Sequence, residues 1–154
     1  MNDAYPSCLQ VDKQLCFSIY RLSNALIRSY RPLLSALDLT YLQYIVMMVL
    51  WEHEQVTVKE IGEKLSLDSG TLTPLLKRLD AKGLITRTRC TNDERVRNIC
   101  VTEQGLKLRE LAASVPQQMQ CQTGMDYAQL AAIKQNCDQL LESLTQYQED
   151  QETD

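Results

Sequence analysis

The sequence predicts a mainly α-helical fold with a small β-wing, and three observations predict it. Apolar residues recur at three- and four-residue spacing along most of the 154 residues, the period of a helix with one buried face. Paired capping residues stand three apart at Thr40 with Gln43 and at Thr57 with Glu60, the spacing at which each satisfies an orphan backbone N–H of a helix start. Between residues 84 and 102 the helical period gives way to alternation, so Leu84–Cys90 and Val96–Thr102 read as two strands.

The elements follow in order. From Asp12 to about Leu37, the residues Leu15, Ile19, Leu22, Leu26, Leu33 and Leu37 share one stripe with Tyr30 in line, which predicts a long first helix. Thr40 and Gln43 open a second, Tyr41 to Trp51, whose nearly unbroken apolar character requires burial. Thr57 and Glu60 open a third with Ile61 and Leu65 as its stripe. A fourth buries Leu72, Leu75, Leu76 and Leu79, and Gly83 stops it, glycine being free to take a positive φ. The two strands come next, joined by Thr91, Asn92, Asp93, Glu94 and Arg95. Thr102 caps a helix through Leu106, Leu108, Leu111 and Val115, which Pro116 kinks or breaks. Asp126 caps a last helix with Leu130, Ile133, Cys137, Leu140, Leu141 and Leu144 as its stripe.

Two short helices, a tight turn and a ribbon between residues 57 and 105 make a winged helix-turn-helix, and its fourth-helix outer face carries Ser69, Thr71, Thr73, Lys77 and Arg78. Short hydroxyls followed by long cations suit base edges and phosphates, which points to double-stranded DNA as a partner. Arg87, Arg89, Arg95 and Arg97 lie on or beside the hairpin, and the planar guanidinium suits phosphate and a narrow minor groove. The net charge of −4 does not oppose this. Residues 57–100 hold nine Lys or Arg against six Asp or Glu, a surplus of three positive charges, while the remainder holds seven against fourteen. Local field, not total charge, governs phosphate binding.

The length fits one domain over residues 1–154, with residues 37–102 as the winged region and residues 1–36 and 103–154 as dimerisation helices. The terminal helices bear long apolar faces that the winged region is too small to cover, so a homodimer is expected, matched to a pseudo-palindromic operator. No apolar run approaches the ~18 residues of a membrane span, and MNDAYPSCLQ lacks a basic, apolar leader, so a cytoplasmic protein without membrane contact is expected.

Six cysteines stand at positions 8, 16, 90, 100, 121 and 137 beside a single histidine, His53. None forms a CxxC pair, so no metal or other cofactor is expected. Placing Arg87 opposite Cys100 puts Cys90 opposite Arg97, too offset for Cys90 and Cys100 to bridge. Cys8, Cys90, Cys100 and Cys137 read as small buried hydrophobes.

The run TLTPLLKRL, followed by GLITR, DER and VTEQG, resembles the winged helix-turn-helix of the MarR family. The resemblance implies that Asp93 positions Arg95 for the minor groove. It also starts the fourth helix near Asp68, so that Ser69, Gly70, Thr71, Thr73, Pro74, Lys77, Arg78 and Arg87 join Asp93 and Arg95 at the DNA. Pro74 then lies inside the helix, against its preference for the first turn, and the Gly70 carbonyl loses its backbone partner.

Residues 14–52, from QLCFSIY through SYRPLLSALDLTY to VLWE, resemble the organic hydroperoxide resistance branch of that family. The resemblance implies a reactive cysteine at Cys16, hydrogen-bonded by Tyr30 and Tyr41, and a resolving cysteine of the other subunit at Cys121. Cys16 and Tyr30 are fourteen residues apart on one helix, about 21 Å at 1.5 Å per residue. They meet only across a dimer. Attack of the thiolate on an organic hydroperoxide gives sulfenic acid and an alcohol, and tyrosine hydrogen bonds favour the thiolate. Phe17, Ile19, Tyr20 and Met47 are expected to wall the pocket. The implied function is a transcriptional repressor that leaves its operator on oxidation. Two other readings stand beside it: a repressor released by a small aromatic ligand, with the cysteines incidental, and a thiol peroxidase, against which the basic winged region argues.

Overall fold

In the computed structural model, which describes residues 9–53, 55–89 and 97–152, helices begin where side chains satisfy their first N–H groups. The chain divides into two units, Met1–Val115 and Pro116–Asp154.

In the first unit, a 3-10 turn, Val11–Lys13, precedes α1, Leu15–Ser35. The expected start near Asp12 is therefore corrected by three residues, because Gln14 has extended backbone (φ −93°, ψ 125°) and separates the two. The helix also stops short of Leu37. Asp38 takes a left-handed φ of 51°, and the Leu39 N–H returns to the Leu34 carbonyl at 3.0 Å, which turns the chain into α2, Tyr41–Glu52. The Thr40 hydroxyl accepts from the Gln43 N–H at 3.3 Å while the Gln43 amide oxygen accepts from the Thr40 N–H at 3.0 Å. That reciprocal cap lets Gln43 sit buried without losing hydrogen bonds. Tyr44, Val46, Met47, Val49 and Leu50 are buried beside it.

The winged region wraps this helix. β1, Gln55–Thr57, leads into α3, Val58–Leu65, through the Thr57–Glu60 box. α4, Ser69–Ala81, buries Leu72, Leu75, Leu76 and Leu79, each worth roughly 1.5–3 kcal/mol of transfer free energy. Gly83 ends the turn after it at φ 70°. β2, Ile85–Arg89, and β3, Arg97–Val101, complete the sheet.

Two expectations change here. The ribbon is three-stranded, in the order β1-β3-β2, since Val56 pairs with Ile99 and both are buried. A three-residue strand is too short to show alternation in sequence. The register also differs by one: Arg87 lies opposite Ile99, and Cys100 opposite Thr86. Pairing Arg87 with Cys100 would have sent Ile85 and Ile99 to opposite faces, whereas the observed register puts both in the core. Cys90, like Cys8, lies outside the described residues.

α5, Glu103–Ala112, starts on Thr102, whose hydroxyl accepts from the Gly105 N–H at 3.1 Å and donates to the Gly83 carbonyl at 2.6 Å. The Trp51 indole N–H donates to the Gly105 carbonyl at 2.9 Å. Pro116 marks a break rather than a kink: after a short turn, α6 runs Val115–Thr123 with the proline in its first turn.

In the second unit, Gly124 turns the chain at φ 65°. Asp126 and Gln129 form a reciprocal cap at 2.8 and 3.0 Å before α7, Tyr127–Glu152. Ile133, Leu141 and Leu144 of its stripe are exposed. Cys137, expected to be buried, is exposed with them, because α7 is exposed on nearly every side, with only Leu130 and Leu140 half-buried. Among the described residues, no helix is long and apolar enough to cross a membrane.

Gly105→Ala should destabilise the protein by about 2–3 kcal/mol, because the new Cβ would stand 2.3 Å from the Leu84 carbonyl oxygen and 2.6 Å from Val101 Cγ2. Gly124→Ala, with open space but a positive φ, should cost only about 1–2 kcal/mol. Urea unfolding of both variants decides it; a loss at Gly105 no larger than that at Gly124 would mean that α5 gives way to the new Cβ and that the close approach is not a constraint.

Candidate nucleic-acid interface

The outer face of α4 is held in place from its first turn. Asp68 caps the helix, its carboxylate accepting from the Thr71 N–H and the Thr71 hydroxyl, both at 2.8 Å. The backbone N–H of Thr71, then its hydroxyl, hold the Asp68 carboxyl below the usual carboxylate range. A Cβ on Gly70 would stand 2.9 Å from the capping Asp68 Oδ1, so glycine leaves room for the cap. Pro74 lies inside α4, as the resemblance requires. Its ring removes one hydrogen bond from the helix, so the Gly70 carbonyl lacks its helical donor.

Ser69, Gly70, Thr71, Pro74, Lys77 and Arg78 are exposed on one face, opposite the buried leucines, and Thr73 is half-buried between them. A groove of about 1140 Å³ runs between α3, α4 and the sheet, and Ser69, Thr73, Lys77, Arg87 and Arg97 line it. The Nε of Arg87 is buried and, among the described residues, has no hydrogen-bond partner. An unpaired guanidinium N–H in a groove that also holds Lys59, Lys77 and Arg97, beside Glu60 and Glu63, is suited to an anionic oxygen. Arg97 was legible on the hairpin but not as part of this cluster. Only the true register reveals it: Ile99 pairs with Arg87, and Arg97, two residues away, falls on the same face. Asp93 and Arg95 lie outside the described residues.

A second cluster forms where α1 meets α2. The rings of Tyr30 and Tyr41 lie 5.1 Å apart, and Tyr30 also meets Tyr44 at 5.9 Å. Burial, and secondly Tyr41, push the Tyr30 phenol above its ordinary value of 10.0. A phenol that holds its proton is a hydrogen-bond donor. Cys16, exposed in the first turn of α1, is separated from Tyr30 by unbroken helix, so the two do not meet within one chain. The structure thus brings together the two tyrosines but not the thiol. Cys121, on α6, is exposed. Of the expected pocket walls, Ile19 and Tyr20 are exposed and Phe17 stacks under Arg21 at 5.4 Å. Met47 is excluded: it is 0 % exposed, part of the hydrophobic core that α2 shares with the leucines of α4. A smaller groove of about 400 Å³ adjoins Tyr41, lined by Ile27, Arg31, Thr40 and Lys82 among others.

Comparison with known proteins gives this geometry a context. Residues 28–111 match the family described as transcriptional regulator SarA/Rot. The chain is 46% identical over 141 residues to the organic hydroperoxide resistance transcriptional regulator of Bacillus subtilis, covering 90% of this chain and 94% of that one. It is similar to AbfR of Staphylococcus epidermidis. Reduced AbfR bound to DNA shares 32% identity at a TM-score of 0.74, covering 90% of this chain and 96% of AbfR. AbfR has also been solved overoxidized and bound to DNA. A cysteine-to-serine mutant of MarR from Escherichia coli, complexed with operator DNA, shares 25% identity at a TM-score of 0.75, with 82% and 93% covered.

Lys77→Ala should weaken binding to all duplexes alike and lower the slope of log affinity against log salt by about one. Thr73→Val should instead change the preferred sequence. Fluorescence anisotropy over a salt series distinguishes them, and an unaltered slope for Lys77→Ala would remove that residue from the interface.

Proposed function

Since the chain belongs to the MarR family of DNA-binding transcriptional regulators, in its SarA/Rot group, we propose that it is a repressor released from its operator when organic hydroperoxide oxidises Cys16. The observation that carries this reading is the Tyr30–Tyr41 pair: two phenols in contact, Tyr30 held protonated by burial, at the positions that the hydroperoxide branch requires. The regulator from Bacillus subtilis lends the reading its oxidant class.

The working unit is a homodimer. The exposed apolar residues of α1 and α7, such as Leu15, Leu22, Leu141 and Leu144, support it. So does the distance between Cys16 and Tyr30, because the tyrosine pair of one subunit can then receive the thiol of the other. In this unit, residues 1–36 and 103–154 pair the subunits and residues 37–102 hold DNA, with Arg95, set by Asp93, at the minor groove.

The chemistry proceeds in two steps. The Cys16 thiolate attacks the O–O bond of the hydroperoxide; an S–O bond forms, and the alkoxide leaves as an alcohol after taking a proton. The tyrosine hydroxyls donate to the thiolate and favour it over the thiol. The Cys121 thiol of the other subunit then condenses with the sulfenic acid, forming S–S and expelling water. Such a bond needs Cα atoms within about 7 Å, so it draws segments of two subunits together and changes the spacing of the two winged regions. That overoxidized AbfR has been solved bound to DNA supports a need for that second step.

The groove beside Tyr41, with Arg31 and Lys82, supports a second reading, release by a small aromatic ligand. A variant lacking all cysteines separates the two: release by such a ligand would favour the second. The peroxidase reading is set aside, because the family consists of regulators and not enzymes.

Cys16→Ser should bind the duplex upstream of the protein's own gene as wild type does and stay bound after one equivalent of cumene hydroperoxide. Wild type should leave the duplex and return with dithiol. Cys121→Ser should form no disulfide-linked dimer on a non-reducing gel. Anisotropy is the readout, and oxidant-driven release of Cys16→Ser would end the proposal.

A further inference from the structure

The aromatic residues of α1 and α2 form a continuous line that ends on the wing. Tyr41 packs on Tyr30 at 5.1 Å, Tyr30 on Tyr44 at 5.9 Å, and Tyr44 meets Trp51 edge-on at 6.3 Å and 69°. Trp51 then donates its indole N–H to the Gly105 carbonyl at 2.9 Å, across 54 residues of sequence. Tyr44 is 3% exposed, so the middle of the line has no solvent into which to relax. Gly105 cannot yield at the other end, because it packs directly on the Leu84 carbonyl and Val101. Its N–H is held by Thr102, which also holds Gly83 and, through its own N–H, the Leu84 carbonyl at 3.1 Å. Those residues are the roots of both wing strands. A close-packed interior responds to a displaced ring by moving its neighbours rather than by compressing.

The geometry points to Trp51 as a positioning residue that transmits the state of the Tyr30–Tyr41 pair to the base of the wing. This inference rests on the redox reading above, since it is the thiol chemistry that disturbs the tyrosines. Trp51 acts through packing and one hydrogen bond; it sets where the wing root lies for each arrangement of the phenols.

Trp51 is the single tryptophan of the chain, so indole emission reports this one junction. Reduced wild-type protein on a duplex is treated with cumene hydroperoxide while Cys16 oxidation, duplex anisotropy and indole emission are followed together. Emission should change at the rate of DNA release, and Cys16→Ser should show neither change. Trp51→Phe keeps a ring but loses the N–H. Its reduced form should bind within about fivefold of wild type. The ratio of oxidised to reduced Kd should shrink about tenfold at equal Cys16 oxidation. Equal weakening of both states would mark Trp51 as merely structural and overturn the inference. So would full release of Trp51→Phe, or wild-type release with unaltered emission. Should Trp51→Phe not fold, the wild-type emission decides. Wild type that stays on DNA with Cys16 fully oxidised overturns the redox reading, and this link with it.

Discussion

The approach of α5 to the end of α4 is the constraint on which the rest depends. Thr102 holds Gly83 and Gly105 on one hydroxyl, and the absence of a side chain at Gly105 lets α5 rest on the Leu84 carbonyl. From that point α4 leaves in one direction, both wing strands in another and α2 comes in through Trp51. A recognition helix and a wing read DNA together only when their relative position is fixed, and here one hydroxyl and one missing methyl group fix it.

That arrangement reconciles an acidic chain with an anionic partner. The cations at Lys77, Arg78, Arg87 and Arg97 are presented outward or into the groove, whereas the acids nearest them are spent on structure. Asp68 caps α4, Glu60 caps α3, and Glu52 pairs with Lys64, and all three carboxyls are held below their ordinary range by those hydrogen bonds. The sign follows: a carboxyl lowered on folding stabilises the native state above its unfolded pKa, and that contribution is lost as pH falls through the folded value. Near neutral pH the caps stay ionised at helix N-termini, where their charge is favourable to the dipole; Glu60 and Glu63 line the groove as well, Glu60 engaged by Thr57 and Glu63 by Lys59.

Local chemistry was legible in the sequence, and relative placement was not. The caps at Thr40, Thr57, Asp126 and Thr102 and the leucine stripe of α4 depend on residues three or four apart, so sequence spacing reveals them. The wing register depends on which face of each strand meets α2, and an error of one residue hid Arg97 from the candidate interface. β1 is held by pairing with a strand more than forty residues away, and no three-residue pattern encodes that. Met47 and Cys137 failed for the same reason in opposite directions. One looked available and lies in the core; the other looked buried and is exposed on a helix that little else covers.

Cys16 lies in the first turn of α1, and Tyr30 lies fourteen residues further along the same helix. A helix of 21 residues cannot fold its ends together, so the proposed mechanism takes the thiol for each tyrosine pair from the other subunit. In the proposed dimer, two-fold symmetry makes each α1 the donor of a thiol to one site and of a tyrosine to the other, so the two sites form at once and depend on the same pairing of subunits. Chemistry at either thiol then acts on the interface that sets the distance between the two recognition helices. A sensor confined to one chain could alter its own pocket and leave that distance unchanged. A sensor divided between two chains cannot.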